Sequence, residues 1–137
     1  MAQQTPSPSP IRSLRILVVD DLEDAAESLA LLLRRHGHEA HAAYDAETAL
    51  RLAREFIPHV ALLDLALPRI DGFQLALRLR QLPQMQSACL IALSGYGSES
   101  DIEATRQAGF NHHLLKPIQL SQLTPLLERA AQSFLER

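Results

Sequence analysis

The sequence predicts an α/β domain in which helices cover both faces of a parallel β-sheet. Five short apolar runs alternate with longer stretches in which apolar residues recur at helical spacing. Such strand–helix alternation is typical of parallel sheets, because helices connect one strand to the next. The length of 137 residues suits one domain, and 47% of the residues are hydrophobic, which is enough for a sizeable core.

The apolar runs are the predicted strands. The first, third and fourth are apolar almost throughout, as strands buried on both faces should be. The second is more polar and suits the edge of the sheet. In chain order the runs are RILVVD (15–20), EAHAAY (39–44), HVALLD (59–64), CLIALS (89–94) and HHLLK (112–116).

Five helices are predicted between and after these runs from the spacing of their apolar residues. Glycines follow the first and fourth helices, and prolines follow the second and third, which marks their ends. The helices are expected from about Leu22 up to His36, from Ala46 to Phe56, from Asp71 up to Pro83, from Ser98 to Ala108 and from Gln119 to Phe134.

The third helix has a predicted start and a predicted inner face. Asp71 is a suitable N-cap, because its carboxylate can accept a hydrogen bond from the first helical turn. Phe73, Ala76, Leu77 and Arg80 then align on one side. We expect this side to face the sheet.

The composition argues against several classes of protein. The net charge is −3 with acids and bases interspersed, unlike the basic surface of a nucleic-acid binder. No segment approaches the ~20 apolar residues of a membrane span, and the N-terminus lacks the apolar core of a secretory signal. The single cysteine, Cys89, cannot form an intrachain disulfide and is expected to be a small core residue. A cytoplasmic protein is therefore expected.

The N-terminal segment differs from the rest of the chain. Serine and proline alternate at residues 5–10, which is typical of an extended, mobile tail or linker. We therefore expect a flexible tail over residues 1–13 and a folded domain over residues 14–135.

Polar and charged side chains stand at the ends of four predicted strands. The first run ends in Asp20 and Asp21, the third in Asp64, the fourth in Ser94 and the fifth in Lys116. In an open α/β sheet, ligands bind in the crevice outside the carboxyl ends of the strands. We therefore expect these five residues to meet at one edge of the sheet.

The chemistry of this group favours transfer of a phosphoryl group to an aspartate. Three carboxylates close together repel one another, so protons or a cation must compensate, and carboxylate oxygens suit Mg²⁺. An aspartate can act as a nucleophile and form an aspartyl phosphate. The lysine supplies a positive charge, and the serine a hydrogen bond, for the phosphoryl oxygens.

Four motifs around these residues resemble the receiver domain of bacterial two-component response regulators. They are VVDD (18–21), LLDLALPRIDG (62–72), ALSGY (92–96) and LLKP (114–117), in matching order and spacing. The resemblance extends from about residue 14 to residue 134. It implies a flavodoxin-like (βα)5 fold, a single domain with a doubly wound parallel sheet of strand order 2-1-3-4-5.

The resemblance also implies a role for each residue at the strand ends. Asp64 is the implied phosphoacceptor, and Ser94 and Lys116 each contact a phosphoryl oxygen. The peptide bond between Lys116 and Pro117 is expected to be cis. The implied ligands of Mg²⁺ or Mn²⁺ are Asp20, Asp21, Asp64 and the backbone carbonyl of Ala66.

Three further positions bear on how this chain compares with the family. One departs from the residue that the family usually carries, and two affect the lifetime of the phosphoryl group. The position three before the lysine usually carries an aromatic residue that moves inward with the serine or threonine, and here it is His113. A switching role and a surface histidine without one are both open interpretations. Ala66 offers no group to orient an attacking water, and Tyr96 is suited to cover a phosphoryl group. A long phosphoryl lifetime is therefore expected.

The resemblance implies a signalling module rather than an enzyme with a separate substrate. The expected phosphoryl donor is a histidine kinase or a phosphotransfer protein. A downstream protein is expected to contact the fourth helix, fifth strand and fifth helix, with no nucleic-acid or membrane partner. The chain is either a free-standing regulator or the receiver of a hybrid histidine kinase.

Other functions fit the sequence less well than this one. A pseudo-receiver would bind partners without phosphorylation, which the complete set of site residues disfavours. A phosphatase needs a second acid where Ala66 stands, and a flavin binder needs a phosphate-binding first loop where this chain is acidic. A metal site at His36, His38 and His41 is a weaker alternative, because alternating residues on a strand edge seldom form one.

Overall fold

The computed structural model describes residues 13–95 and 99–135, and the predicted tail lies outside this part except for Ser13. The strands are β1 (Arg15–Val19), β2 (Glu39–Ala43), β3 (Val60–Asp64), β4 (Cys89–Ser94) and β5 (His112–Leu115). The helices are α1 (Glu23–Arg35), α2 (Ala46–Phe56), α3 (Gly72–Arg80), α4 (Glu99–Gln107) and α5 (Leu120–Leu135). A short 3₁₀ helix, which was not expected from the sequence, spans Pro83–Met85.

The sheet has the predicted topology. Its five strands run in the order β2-β1-β3-β4-β5, and each neighbouring pair is parallel. The polar second strand lies at one edge, as predicted, and β5 lies at the other. This is the strand order of the flavodoxin-like fold, so all five carboxyl ends of the strands lie at the same edge of the sheet.

Two hydrophobic clusters lie on opposite faces of the sheet. Ile16 and Val18 belong to the cluster that includes side chains of α1 and α5, whereas Leu17 and Val19 belong to the cluster with α2 and α3. Successive side chains of a strand point to opposite faces, and all four of these are fully buried. A buried leucine, isoleucine or valine side chain contributes about 1.5–3 kcal/mol to stability. Because β1 is buried on both of its faces, it is held firmly in the sheet. Its position in turn sets the position of Asp20 and Asp21, which follow it.

The inner face of α3 differs from the prediction by one residue. Gly72, Leu75, Ala76 and Leu79 are buried, at the i, i+3, i+4, i+7 spacing of a helix stripe. Leu77, predicted to face the sheet, is 50% exposed. The physical reason is that Gly72 packs directly against the end of β3, which sets the rotation of the helix. Asp71 is the N-cap as predicted, in a capping box.

Arg80 anchors the loops at the amino ends of β4 and β5. Its guanidinium donates hydrogen bonds to the Ala88 carbonyl at 2.7 Å, to the Gly109 carbonyl at 2.6 Å and to Asn111 Oδ1 at 2.8 Å. Arginine suits this position because its planar group presents several donors at once. Burial lowers the pKa of Arg80 from its usual value.

Two histidines hold the start of β1. His38 Nδ1 accepts a hydrogen bond from the Leu14 backbone N–H at 3.1 Å, and His59 Nδ1 accepts one from Arg15 at 2.9 Å. Both nitrogens act as acceptors here, so both rings are neutral. The ring of His38 is therefore used to bind the backbone of Leu14. Within residues 13–95 and 99–135, His36, His38 and His41 belong to no group of residues that could hold a metal ion.

Two further sequence predictions concern Cys89 and membrane association. Cys89 is partly buried, and burial raises the pKa of its thiol to about 11, as suits an unreactive packing residue. In the described part of the chain, every helix is too short or too polar to cross a bilayer.

Candidate functional site

Four strand ends bring the predicted site residues together. Asp64 and Ser94 are the last residues of β3 and β4, whereas Asp20 and Lys116 come directly after β1 and β5. Backbone bonds continue the ladder past these ends: Asp20 N–H donates to the Ala43 carbonyl, and Lys116 N–H donates to the Ser94 carbonyl. The backbone of each site residue is therefore held by the sheet itself.

The acidic residues form one cluster. One carboxylate oxygen from each of Asp20, Asp21 and Asp64 lies within 4.8 Å of the chosen oxygens of the other two residues. Asp20 and Asp64 are each only 4% exposed, whereas Asp21 is exposed to solvent. Two acids of the cluster, Asp20 and Asp64, are therefore buried, and solvent reaches the cluster at Asp21.

Lys116 lies between the two buried acids. Its Nζ is 3.1 Å from Asp20 Oδ2 and 3.2 Å from Asp64 Oδ2. Burial by itself lowers the pKa of Lys116, but the hydrogen bonds and negative charges of the two aspartates outweigh burial and raise the pKa overall. The ammonium thus stays charged at neutral pH. The peptide bond to Pro117 is cis, as predicted.

Backbone N–H groups orient both buried carboxylates. Asp20 Oδ1 accepts a hydrogen bond from Leu22, and Asp64 Oδ1 accepts one from Ala66, each at 3.0 Å. Aspartates commonly bond the backbone two residues on in this way. Because Oδ1 of each acid is held by the backbone, Oδ2 of each is the oxygen presented to Lys116.

Gly72 allows α3 to begin directly beside the end of β3. A Cβ at this position would lie 2.5 Å from the Asp64 carbonyl oxygen and 2.7 Å from the Leu65 Cα. Both contacts are with backbone, which cannot move aside as a flexible side chain would. The Gly72 N–H also donates to the Leu65 carbonyl at 3.1 Å. The glycine therefore fixes the course of the loop that follows Asp64.

Ser94 contacts His113 on the neighbouring strand. Ser94 Oγ and His113 Nε2 are 2.6 Å apart, and Ser94 is 8% exposed. His113 Nδ1 is buried and has no hydrogen-bond partner in the part of the chain that the structure describes. His113 is therefore not a plain surface histidine. The sequence indicates the position of His113 but carries no direct signal for its hydrogen bond to Ser94.

The cluster fits a divalent metal ion. Three carboxylates carry three negative charges and Lys116 carries one positive charge, which leaves a formal charge of −2. Oxygen ligands of this charge suit Mg²⁺, which binds one or two carboxylates directly and keeps several waters. The open side at Asp21 leaves room for those waters.

Ala66 and Tyr96 are the two remaining residues with a predicted role at the site. Ala66 is exposed in the loop after β3, where its N–H donates a hydrogen bond to Asp64 Oδ1. Tyr96 lies outside the described residues.

Comparison with known sequences identifies a family. The family model of the response regulator receiver domain matches residues 16–128. An uncharacterized 14.6 kDa protein from Leptolyngbya boryana is 35% identical over 124 residues, which cover 90% of this chain and 95% of that protein. The transcriptional regulatory protein PrrA of Mycobacterium leprae is 37% identical over 113 residues. That match covers 82% of this chain but only 48% of PrrA, so the chain spans about half of that relative.

Solved structures share the fold. The chemotaxis protein CheY4 of Vibrio cholerae superposes with a TM-score of 0.81 at 24% identity, covering 86% of this chain and 98% of that one. NtrX from Brucella abortus gives a TM-score of 0.79 at 29% identity, covering 88% of this chain and 27% of that one. The chain belongs to the response regulator receiver domain family, the phosphoacceptor modules of two-component signalling.

Proposed function

We propose that Asp64 is the residue that accepts the phosphoryl group. The convergence of Asp20, Asp21 and Asp64 within 4.8 Å, with Lys116 between the two buried acids, is the observation that carries this proposal. Asp64 is distinguished from the other two acids because it is both buried and on the central strand β3. The backbone bond from Ala66 holds its carboxylate in one orientation.

The proposed reaction begins with attack by an oxygen of the Asp64 carboxylate on the phosphorus of a donor. A new P–O bond forms, and the bond between phosphorus and the donor breaks, so that the donor leaves with the electron pair. Lys116 offers its ammonium to a phosphoryl oxygen, and Ser94 offers its hydroxyl to another. In the reverse sense, water attacks phosphorus, the aspartyl–phosphate bond breaks and the carboxylate is restored.

Asp20, Asp21, Asp64 and the backbone carbonyl of Ala66 are the proposed ligands of Mg²⁺ or Mn²⁺. When bound, the ion neutralises charge on the phosphoryl group in transfer. The chain would therefore promote its own phosphorylation and dephosphorylation, with no separate substrate. This role distinguishes it from a phosphatase or another metal-dependent hydrolase.

The proposed partners follow from this chemistry. A histidine kinase or a histidine phosphotransfer protein is the phosphoryl donor, and a downstream protein reads the state through α4, β5 and α5. Exposed apolar side chains on that side, Ile102 and Leu115, support a protein contact. We also propose that the protein is cytoplasmic. The receiver domain spans residues 14–135 and is preceded by a flexible tail. The chain is either a free-standing regulator or the receiver of a hybrid histidine kinase.

Incubation with acetyl phosphate and Mg²⁺, followed by intact mass measurement, tests the proposal. The expected result is a species heavier by about 80 Da, the mass of one phosphoryl group, that is absent in Asp64→Asn. An Asp24→Asn variant is the matched control, because Asp24 is an exposed acid outside the cluster. A pseudo-receiver predicts no mass shift in any of the three proteins.

A further inference from the structure

Two histidine side chains complete the pairing of β1 at its amino end. Leu14 and Arg15 carry adjacent backbone N–H groups, and each of them donates to an imidazole rather than to a strand carbonyl. His38 comes directly before β2 and accepts from Leu14 at 3.1 Å, whereas His59 comes directly before β3 and accepts from Arg15 at 2.9 Å. The start of β1 is thus held from both neighbouring strands through a ring nitrogen.

Ordinary backbone bonds hold the carbonyls at the same place. Glu39 N–H donates to the Leu14 carbonyl at 2.9 Å, and His59 N–H donates to the Arg15 carbonyl at 2.8 Å. Leu14 and Arg15 therefore each have a carbonyl bound by backbone and an N–H bound by a ring. Of these four bonds, the two that involve a ring are the ones that depend on the protonation of a side chain.

The chemistry of the groups fixes the direction of the two ring bonds. A backbone N–H can only donate, so Nδ1 of each ring must offer its lone pair and carry no proton. An imidazolium carries a proton on both nitrogens and would set one N–H against another. We propose that His38 and His59 form a pH-sensitive clamp, which holds the N–H groups of Leu14 and Arg15 while the rings are neutral and releases them when the rings gain a proton.

The surroundings of His38 favour its neutral form. His36, the C-cap of α1, and Glu128 of α5 line the same cavity as His38. Burial lowers the pKa of His38, and the positive charge of His36 lowers it further. Glu128 would act in the opposite sense, but it is exposed to solvent, which weakens its charge. The ring therefore accepts from Leu14 throughout the neutral range.

The surroundings of His59 act in the same direction. Arg15 is the charged side chain that faces this ring from β1, and the ring of Phe134 in α5 lies 5.1 Å away between centroids. Burial lowers the pKa of His59, and the charge of Arg15 lowers it further. On the side of β4, Cys89 N–H donates to the His59 carbonyl, and its thiol is neutral because burial raises its pKa to about 11.

The clamp opens in acid and acts locally. Because the pKa of each ring is lowered in the folded state, both bonds are complete above about pH 6.5 and are lost as the pH falls through the folded-state values. The carbonyl bonds of Leu14 and Arg15 remain, and the four residues from Ile16 to Val19 stay fully buried. The released groups lie at the amino edge of the sheet, opposite the acidic cluster, so the inference does not rest on the proposed function.

Nitrogen-15 NMR of the full chain tests the two bonds directly. An N–H···N hydrogen bond transmits a scalar coupling between its two nitrogens. At about pH 7.5 we expect couplings from Leu14 to His38 Nδ1 and from Arg15 to His59 Nδ1, and we expect both to vanish by about pH 5 while the protein stays folded. Couplings that are absent at the higher pH, or that persist unchanged at the lower pH, would overturn the inference.

Hydrogen exchange separates local release from general loss of stability. The protection of the Leu14 and Arg15 amides, relative to an unstructured chain at the same pH, should fall about three- to tenfold over this range, the worth of one neutral hydrogen bond. The protection of Leu17 and Val18, in the middle of β1, should fall less. An equal fall at all four amides would show global destabilisation and would contradict a clamp.

Single asparagine variants give a crossed test, because asparagine keeps an acceptor near the position of Nδ1 but does not titrate. In His38→Asn, Leu14 should keep its protection in acid while Arg15 still loses it, and His59→Asn should show the reverse. A loss at Leu14 in His38→Asn as large as in the wild type would refute the assignment. If either variant fails to fold, the couplings of the wild type decide the case.

His36→Asn is the matched control. His36 Nδ1 is 2.9 Å from the Leu32 carbonyl, which can only accept, so this ring donates and keeps its bond when it is protonated. The variant should still lose protection at Leu14 in acid, with a midpoint at slightly higher pH because the positive neighbour of His38 is gone. Full protection of Leu14 in this variant at about pH 5 would assign the acid response to His36 and overturn the clamp.

Discussion

Lys116 Nζ lies 3.2 Å from Asp64 Oδ2, although Asp64 ends β3 and Lys116 follows β5, and β4 lies between these two strands. The same ammonium is 3.1 Å from Asp20 Oδ2. The lysine thus spans the carboxyl edge of the sheet and compensates the two buried acids. We therefore expect it to pair with a phosphoryl group attached to Asp64.

Replacing Lys116 by glutamine should slow phosphorylation by acetyl phosphate about ten- to a hundredfold. The reason is the loss of one charge-assisted hydrogen bond to the phosphoryl group, worth about 1.5–3 kcal/mol. Intact mass measured over time gives the rate. Lys116→Arg keeps the positive charge on a group of different shape, so its rate of phosphorylation should lie between those of the wild type and the glutamine variant. Equal rates for the glutamine variant and the wild type would contradict this role.

Replacing Asp21 by asparagine should stabilise the metal-free protein by about 0.5–1 kcal/mol, because it removes one of three like charges at the edge of the cluster. Binding of Mg²⁺ at a hundred times its Kd should stabilise the folded wild type by about 2.7 kcal/mol. The same substitution should reduce this gain, because it removes one proposed ligand of the ion. Chemical denaturation with and without Mg²⁺ measures both effects. Asp24→Asn is the control and should change neither, and a wild type indifferent to Mg²⁺ would count against the site.

Gly72→Ala should destabilise the protein by about 1–3 kcal/mol or more, because the new methyl group meets backbone of Asp64 and Leu65 that cannot yield. Gly95→Ala is the matched control, since a Cβ there meets nothing within 4 Å. The control should stay within about 0.5 kcal/mol of the wild type. Urea denaturation compares the two, and similar values for both variants would show that the close packing is not real.

The fold should lose stability in mild acid because of His38 and His59. Burial lowers the pKa of both rings below 6.5, and the charges of His36 and Arg15, respectively, lower it further. The unfolded chain therefore takes up protons first. Stability is complete above about pH 6.5 and falls as the pH drops below that value towards the folded-state pKa.

Unfolding free energies measured between about pH 8 and about pH 5 test this trend. The double variant His38→Asn, His59→Asn should lose less stability over the same range, because asparagine keeps an acceptor but does not titrate. Burial and the charge of Arg129 also lower the pKa of His112, so a smaller dependence should persist. A wild type whose stability is flat down to about pH 5 would refute the assignment.

Ala66→Asn should shorten the lifetime of the phosphorylated protein severalfold to about tenfold, because an amide beside the phosphoryl group can orient an attacking water through about one hydrogen bond. Ala66 is exposed in the loop after β3, so the change should not disturb folding. The decay of the phosphorylated mass after removal of acetyl phosphate measures the effect. Unchanged or slower decay would count against the long lifetime expected for the wild type.

The sequence predicted the meeting of Asp20, Asp64 and Lys116 because parallel strands place their carboxyl ends at one edge, whatever lies between them. It misplaced the inner face of α3 because nine residues of helix are compatible with two neighbouring stripes. The close approach of Gly72 to β3, a tertiary contact, decides between them. The bond between Ser94 and His113 depends on two side-chain rotamers, which no local pattern encodes.

The most direct test of the central claim is to locate the phosphoryl group. The phosphorylated chain is reduced with borohydride, which converts an aspartyl phosphate to homoserine, and its peptides are sequenced by mass spectrometry. The account predicts homoserine at Asp64 and aspartate retained at Asp20 and Asp21. Homoserine at either of those two acids, or at none of the three in a protein that has gained phosphate, would contradict it.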